Sequence, residues 1–127
     1  MHGMKTVRVY DLAEHAGGYR VLVDRLWPRG VRKETLRLDA WEKEVAPSRE
    51  LRQWFGHDSG RFEQFATAYR KELDENPAVE SFCNKVAEQL QMQDVLLLYA
   101  AKDEEHNNAV VLLSWLRDRL RAAGIFQ

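Results

Sequence analysis

The 127-residue sequence predicts an α/β fold: a single domain with a small, mainly parallel sheet flanked by helices, and a helical insertion between the second and third strands. Three observations lead there. Two β-branched or apolar runs, "TVRVYDL" and "YRVLVDRL", open the chain. Segments with apolar residues at helical spacing fill its middle. A last run, "DVLLLYA" at 94–100, is apolar almost throughout, as a strand buried on both faces should be, and a helical segment follows it.

Each element can be justified in turn. Residues 6–11 alternate and are rich in β-branched side chains, which predicts a strand. Gly17 and Gly18 break the chain, and "YRVLVDRL" then predicts a second strand, buried in its middle. Trp27 to Leu38 lacks a helical stripe and reads as a long loop, a kind of segment that in compact domains is often functional. "LDAWEKEV" offers Asp39 as a helix N-cap, and "PSRELRQWFG" offers Ser48 as an N-cap with Gly56 as a stop. Phe62, Phe65, Ala66, Tyr69 and Leu73 form the stripe of one amphipathic helix, and Val79, Phe82, Cys83, Val86 and Leu90 that of the next. Asn76 would cap this second helix, with Pro77 at its first position. The last helix is expected from about Glu105 to Ala123, with Ala109, Leu113, Leu116 and Leu120 along one face and Gly124 at its end.

Composition narrows the class. Hydrophobic residues make up 45% and charged residues 31%, as in soluble globular proteins. No apolar run approaches the ~20 residues needed to span a bilayer, so no membrane partner is expected. "MHGMKTVRVY" lacks the apolar stretch of a signal peptide, which points to the cytoplasm. Cys83 stands alone, so an internal disulfide or a cysteine-based zinc cluster is excluded. The sequence shows no GxGxxG, Walker A, GxSxG or HExxH pattern, and neither a cofactor nor a metal is expected. The net charge of −1 hides a basic stretch containing Arg20, Arg25, Arg29, Arg32, Lys33 and Arg37.

In open parallel sheets, ligands gather outside the carboxyl ends of the strands. Two strands here end in polar clusters. "DRLWPRG" follows the second, and "YAAKDEEHNNA" follows the third. If the two strands are parallel neighbours, the clusters face one another across a crevice. Arg25, Arg29 and Lys102 are then donors suited to phosphate or carboxylate. The amides near Glu105 and His106 would add a helix N-terminus. Asp24 and His106 would be the acid–base pair if the site is catalytic. Trp27 could stack on a planar ring, with Tyr99 and Asn107 orienting the ligand.

The two motifs "YRVLVDRLWPRG" and "LLYAAKDEEHNNAVVL", with Trp41, the segment from Pro47 to Phe55 and Tyr69, resemble the DUF488 family in its short YeaO-like branch. The resemblance covers nearly the whole chain. It implies a compact bacterial cytoplasmic domain of undefined activity. Longer members of that family carry a Cys-His-Arg motif after the corresponding last strand. Here the place reads "EHNN", with His106 in position but no cysteine or arginine beside it, so no thiol chemistry is expected.

Plainer readings stand beside these. Asp24 and Arg25 would also suit a structural ion pair. Trp27, like Trp41, Trp54 and Trp115, would also suit packing, and Pro28 and Gly30 a simple turn. Asp103 suits the N-cap of the last helix. Cys83, on an apolar helix face, reads as a small buried hydrophobe. The leading expectation is a pocket for a small anionic, phosphate-bearing ligand such as a nucleotide. The alternative is a nucleic-acid or protein interaction module that uses the basic loop 29–37. Either a monomer or a homodimer fits, and the apolar tail "GIFQ" would suit a modest dimer interface.

Overall fold

The structure, a computed structural model, describes residues 2–15 and 17–125. Strand β1 (Met4–Arg8) is followed by a 3-10 segment at Val9–Glu14, then by strand β2 (Tyr19–Leu22). Helix α1 (Lys33–Leu36) is a single turn, and strand β3 (Ala40–Trp41) follows it. Helices α2 (Arg49–Phe55), α3 (Phe62–Glu75) and α4 (Val79–Leu90) form the insertion. Strand β4 (Val95–Tyr99) and helix α5 (Asn108–Ala122) complete the chain. All neighbouring strands are parallel, in the order β1-β4-β2-β3. The α/β class with a small parallel sheet is therefore what the chain adopts.

The wholly apolar strand β4 is central because it alone can be buried on both faces and along both edges. Its register sets Met4 opposite Val95 on one side and Tyr19 opposite Val95 on the other. Val95, Leu97 and Tyr99 join Val21 and Val23 in a core packed by α3, α4 and α5. Leu96 and Leu98 join Val7, Leu22 and Leu36 in a smaller core on the opposite face, closed by Trp27 and Trp41. The helices therefore sit mainly on one face, and the other is covered by loop, 3-10 turn and the short α1. Cys83 is buried, as a small hydrophobe on a helix stripe should be. Gly18 is needed at the start of β2. Its φ is +87°, and a Cβ there would lie 3.2 Å from Leu96 Cγ and 3.3 Å from the Asp94 carbonyl oxygen.

Several elements differ from the sequence-based expectation. The first strand ends at Arg8, because the chain turns into the 3-10 segment that carries Val9 and Leu12 onto the smaller core. "LDAWEKEV" does not begin a helix. Asp39 donates its N–H to the Arg20 carbonyl (2.8 Å) and accepts from the Arg20 N–H through Oδ2 (2.8 Å). This exchange seats Ala40–Trp41 as a fourth strand beside β2, and only Lys43–Val45 coils, as a 3-10 turn. The long loop after Trp27 contains α1. The insertion between β2 and β4 thus holds a strand as well as helices.

The caps of α2 follow expectation: Ser48 Oγ accepts from the Leu51 N–H (3.2 Å), and Gly56 ends the helix at φ 53°. Asn76 acts one turn before α4, accepting from the Ala78 N–H at Oδ1 (3.0 Å). Helix α5 begins at Asn108, not near Glu105, and its N-cap is Asn107, whose Oδ1 accepts from the Val110 N–H (3.0 Å). No helix among the described residues is long and apolar enough to cross a membrane. Ile125 packs against the main core, while Phe126 and Gln127 of the apolar tail lie outside the described residues.

Candidate functional site

Because β2 and β4 are parallel neighbours, their carboxyl ends lie side by side, and the chain that leaves each turns over the same edge of the sheet. Asp24 holds that edge together. Its Oδ2 accepts from the Ala100 N–H just past β4 (2.9 Å), and its Oδ1 accepts from Asn108 Nδ2 at the start of α5 (3.0 Å). Asn108 Nδ2 also reaches the Val23 carbonyl (3.2 Å), and Trp41 Nε1 donates to the Asp24 carbonyl (2.7 Å). One residue thus links the ends of three strands and the first turn of α5.

Beside Asp24 opens a cavity of about 280 Å³. Its polar lining residues are Asp24, Arg25, Arg29, Arg52, His57, Asn107 and Asn108, its apolar ones include Leu26, Trp27, Pro28, Pro47, Phe55 and Phe65, and Tyr10 lines it as well. Arg25 Nη2 donates to the Ala46 carbonyl (3.3 Å), whereas the Nε atoms of Arg25 and Arg52 are buried without a partner. Asp24 and Arg25 do not form an ion pair with each other. The ion pairs of the described residues lie elsewhere, as at Arg32–Glu34 and Arg70–Asp118.

Burial is the main influence on Asp24 and pushes its carboxyl above the ordinary range. The hydrogen bonds from Asn108 and Ala100, and the charges of His57 and Arg52, oppose that shift without cancelling it. The folded state therefore holds a proton on Asp24 more tightly than the unfolded chain does. The associated stability is fully present below the unfolded value of 3.8 and is lost as pH rises through the raised folded value. In wild type, stability should fall across this window relative to Asp24→Asn, which has no proton to lose there. The measurement is the melting temperature of both proteins at matched pH values, and parallel profiles would contradict the assignment. Asp103 acts with the opposite sign, since hydrogen bonds from the Glu105 N–H and from His106 lower its pKa. It is common to both proteins and drops out of the difference.

The structure brings Asp24, Arg25, Trp27, Arg29 and Asn107 to this cavity. Trp27 offers apolar ring surface rather than a donor, because its Nε1 is bound to the Val31 carbonyl (2.7 Å); its ring also packs with Trp41 in a T-shaped pair at 5.5 Å. Asn107 is 1% exposed, and its side chain is occupied by Val110 and by the Asp103 carbonyl. Lys102, Tyr99 and His106 are not among the lining residues. Lys102 is exposed, and Tyr99 is buried in the main core. His106 directs Nδ1 to Asp103 Oδ2 (2.9 Å) and meets the Phe62 ring edge-on at 5.0 Å.

The acid–base pair suggested by Asp24 and His106 therefore does not share the cavity. The amides near Glu105 are also occupied, since Asp103 Oδ1 accepts from the N–H groups of Glu105 and His106 (both 3.0 Å). Asp103 thus caps a turn that precedes α5 rather than α5 itself. In the basic loop, Arg32, Lys33 and Arg37 are exposed, and Arg20 Nη1 donates to the Leu36 carbonyl (3.1 Å).

Arg52, His57 and Asn108 are lining residues that sequence reasoning missed, as are Tyr10, Leu26, Pro47, Phe55 and Phe65. One signal for Arg52 was available: it lies three residues before the buried Phe55 on the same face of α2, an unusual place for an arginine. His57 follows the helix stop with φ 58° and shows no sequence signal of its own.

Comparison with known proteins places these features in context. A family model described as the inactive DUF488-N3 subclade matches residues 3–124. The uncharacterised protein YeaO of Escherichia coli is 46% identical over 110 residues, which cover 87% of this chain and 93% of that protein. The uncharacterised proteins Rv3073c of Mycobacterium tuberculosis and Mb3100c of Mycobacterium bovis are each 46% identical over 76 residues, or 60% of this chain and 64% of theirs. No solved structure matches the chain.

Proposed function

The chain belongs to the DUF488 family, in its inactive N3 subclade, and from that premise we propose that the strand-end cavity binds a small phosphate-bearing anion without transforming it. The observation that carries this reading is an imbalance of charge. Arg25, Arg29 and Arg52 line one cavity together with His57, and among the described residues the only acid that lines it is Asp24. Burial favours the neutral form of Asp24, and its two oxygens are already occupied by Ala100 and Asn108. The cavity thus concentrates positive charge in a partly desolvated setting, where guanidinium groups favour phosphate or carboxylate.

Binding without turnover fits the same arrangement. Asp24 serves the architecture of the strand ends, and His106 is held by Asp103 outside the cavity. The test is thermal unfolding with inorganic phosphate and with pyrophosphate at two salt concentrations, beside a short oligonucleotide. An anion at ~100 times its dissociation constant should stabilise the protein by about 2.7 kcal/mol. That gain should shrink in Arg52→Ala and also in Arg29→Ala, whose exposed side chain can be removed with little risk to the fold. His106→Ala should leave it unchanged. A salt-sensitive shift with the oligonucleotide alone, abolished by changing Arg32, Lys33 and Arg37, would overturn the reading in favour of an interaction surface on the basic loop.

A further inference from the structure

Beyond the anion itself, we propose that the ligand carries a flat aromatic body joined closely to its phosphate, as in an aryl phosphomonoester. This rests on the anion-binding reading above and specifies what the rest of the cavity holds. A cavity of about 280 Å³ lies at the low end of the size range of small-molecule sites. Inorganic phosphate would occupy only a part of that and leave the apolar wall wet.

That wall is built from rings and apolar side chains. Phe55 and Phe65 stack with centroids 4.2 Å apart and planes 17° from parallel, and both line the cavity together with Pro47 and the half-buried Trp27. Phe55 and Phe65 are nearly covered and back the site, while the half-buried Trp27 and the exposed Leu26 and Tyr10 offer the surface that a ligand ring can reach. The mouth gives a second, independent indication. Four large apolar side chains are exposed among the described residues, and two of them, Leu26 (66%) and Tyr10 (46%), belong to this cavity. Leu26 and Tyr10 thus add exposed apolar surface at this cavity, which a bound ring would cover.

Tyr10 is also held in place. Its hydroxyl donates to the Arg29 carbonyl (2.8 Å), and the Arg8 guanidinium lies 4.6 Å from its ring centroid. A ligand entering past Leu26 and Tyr10 therefore meets a lining that holds both arginines and aromatic rings. A body bearing hydroxyl groups would set them against Leu26 and Trp27, whose Nε1 is already bound to the Val31 carbonyl, so a sugar or glycerol body fits less well.

The experiment is calorimetric titration of the full chain with inorganic phosphate, glycerol phosphate and phenyl phosphate at one pH and salt concentration. Phenyl phosphate should bind about tenfold tighter than either of the others, from the apolar area its ring removes from water. Leu26→Ser, at an exposed position, should narrow that margin. Equal affinity for all three would overturn the aromatic assignment and leave anion binding standing. Absence of binding by any of the three would overturn both. A margin that survives Leu26→Ser unchanged would overturn the placement of the ring at this mouth.

Discussion

Phe65→Ala should lower the stability of the fold by about 4 kcal/mol, the range typical of a buried phenylalanine whose removal leaves a cavity. Phe65 is 1% exposed and stacks on Phe55, and its ring also meets Phe62 at 6.2 Å and Tyr69 at 5.8 Å. These neighbours are themselves fixed. Tyr69 donates its hydroxyl to the Val45 carbonyl, and Phe55 closes α2 just before its glycine stop. The surroundings therefore have little freedom to collapse into the space left behind. For a domain of this size the melting temperature should fall by roughly 15 °C. Denaturant unfolding would check this, with a lower midpoint and an unchanged slope. A loss below about 1 kcal/mol would mean that the aromatic wall yields easily and cannot act as a preformed surface. Phe62→Ala, at a partly exposed ring, provides the control and should cost clearly less.

Asp24→Ala should cost about 3 kcal/mol, by a different mechanism. The substitution removes the shared acceptor of the Ala100 N–H and Asn108 Nδ2 in a partly buried space. Each unsatisfied buried donor costs about 1–3 kcal/mol, and the lost desolvation penalty of the carboxylate offsets part of that sum. Asn108 keeps its bond to the Val23 carbonyl, which limits the damage on its side. A double-mutant cycle with Asn108→Ala isolates the shared part. The two costs should combine to clearly less than their sum, because each single change breaks the same bond. Additive costs would show that Asp24 and Asn108 act separately. The outcome also bears on function, since a residue that organises the strand ends cannot be removed to test binding alone.

Much of this architecture was legible in the sequence because its signals are local. The apolar run of β4 and the cap and stop at Ser48 and Gly56 are set by neighbouring residues and formed where expected. The juxtaposition of the two strand-end motifs followed from parallel pairing. What escaped was non-local. β3 exists because Asp39 and Arg20, nineteen residues apart, exchange hydrogen bonds, and no local pattern in "LDAWEKEV" distinguishes that from a capped helix. The start of α5 was misplaced for a related reason. Asp103 has the side chain of an N-cap and does cap a turn, but Asn107 caps the helix.

The candidate site was legible in half. Its strand-end residues Asp24, Arg25, Trp27 and Arg29 follow directly from β2, and Asn107 from the approach to α5. Its other half, Arg52 and His57, arrives from the helical insertion and depends on how α2 folds back over the sheet edge. His106 and Lys102 were drawn in by chemistry that suited a rim, although the turn fixed by Asp103 takes His106 away from it.

The order of the strands also governs how this molecule must come into being. Among the described residues β1 pairs with β4 alone, and the register that joins Met4 to Val95 closes a loop of about 90 residues. β2 gains only a short pairing with β3 before β4 arrives. During synthesis, β1 and β2 therefore wait with open edges until the sequence around residue 95 has emerged and can pair between them. Chain-closing contacts of such long range make assembly slow compared with a helical bundle, and until closure the exposed edges invite pairing with other chains. Early helix formation in the insertion would be the natural safeguard, since α3 and α4 carry their own apolar stripes and can shelter them locally while the centre of the sheet is still missing.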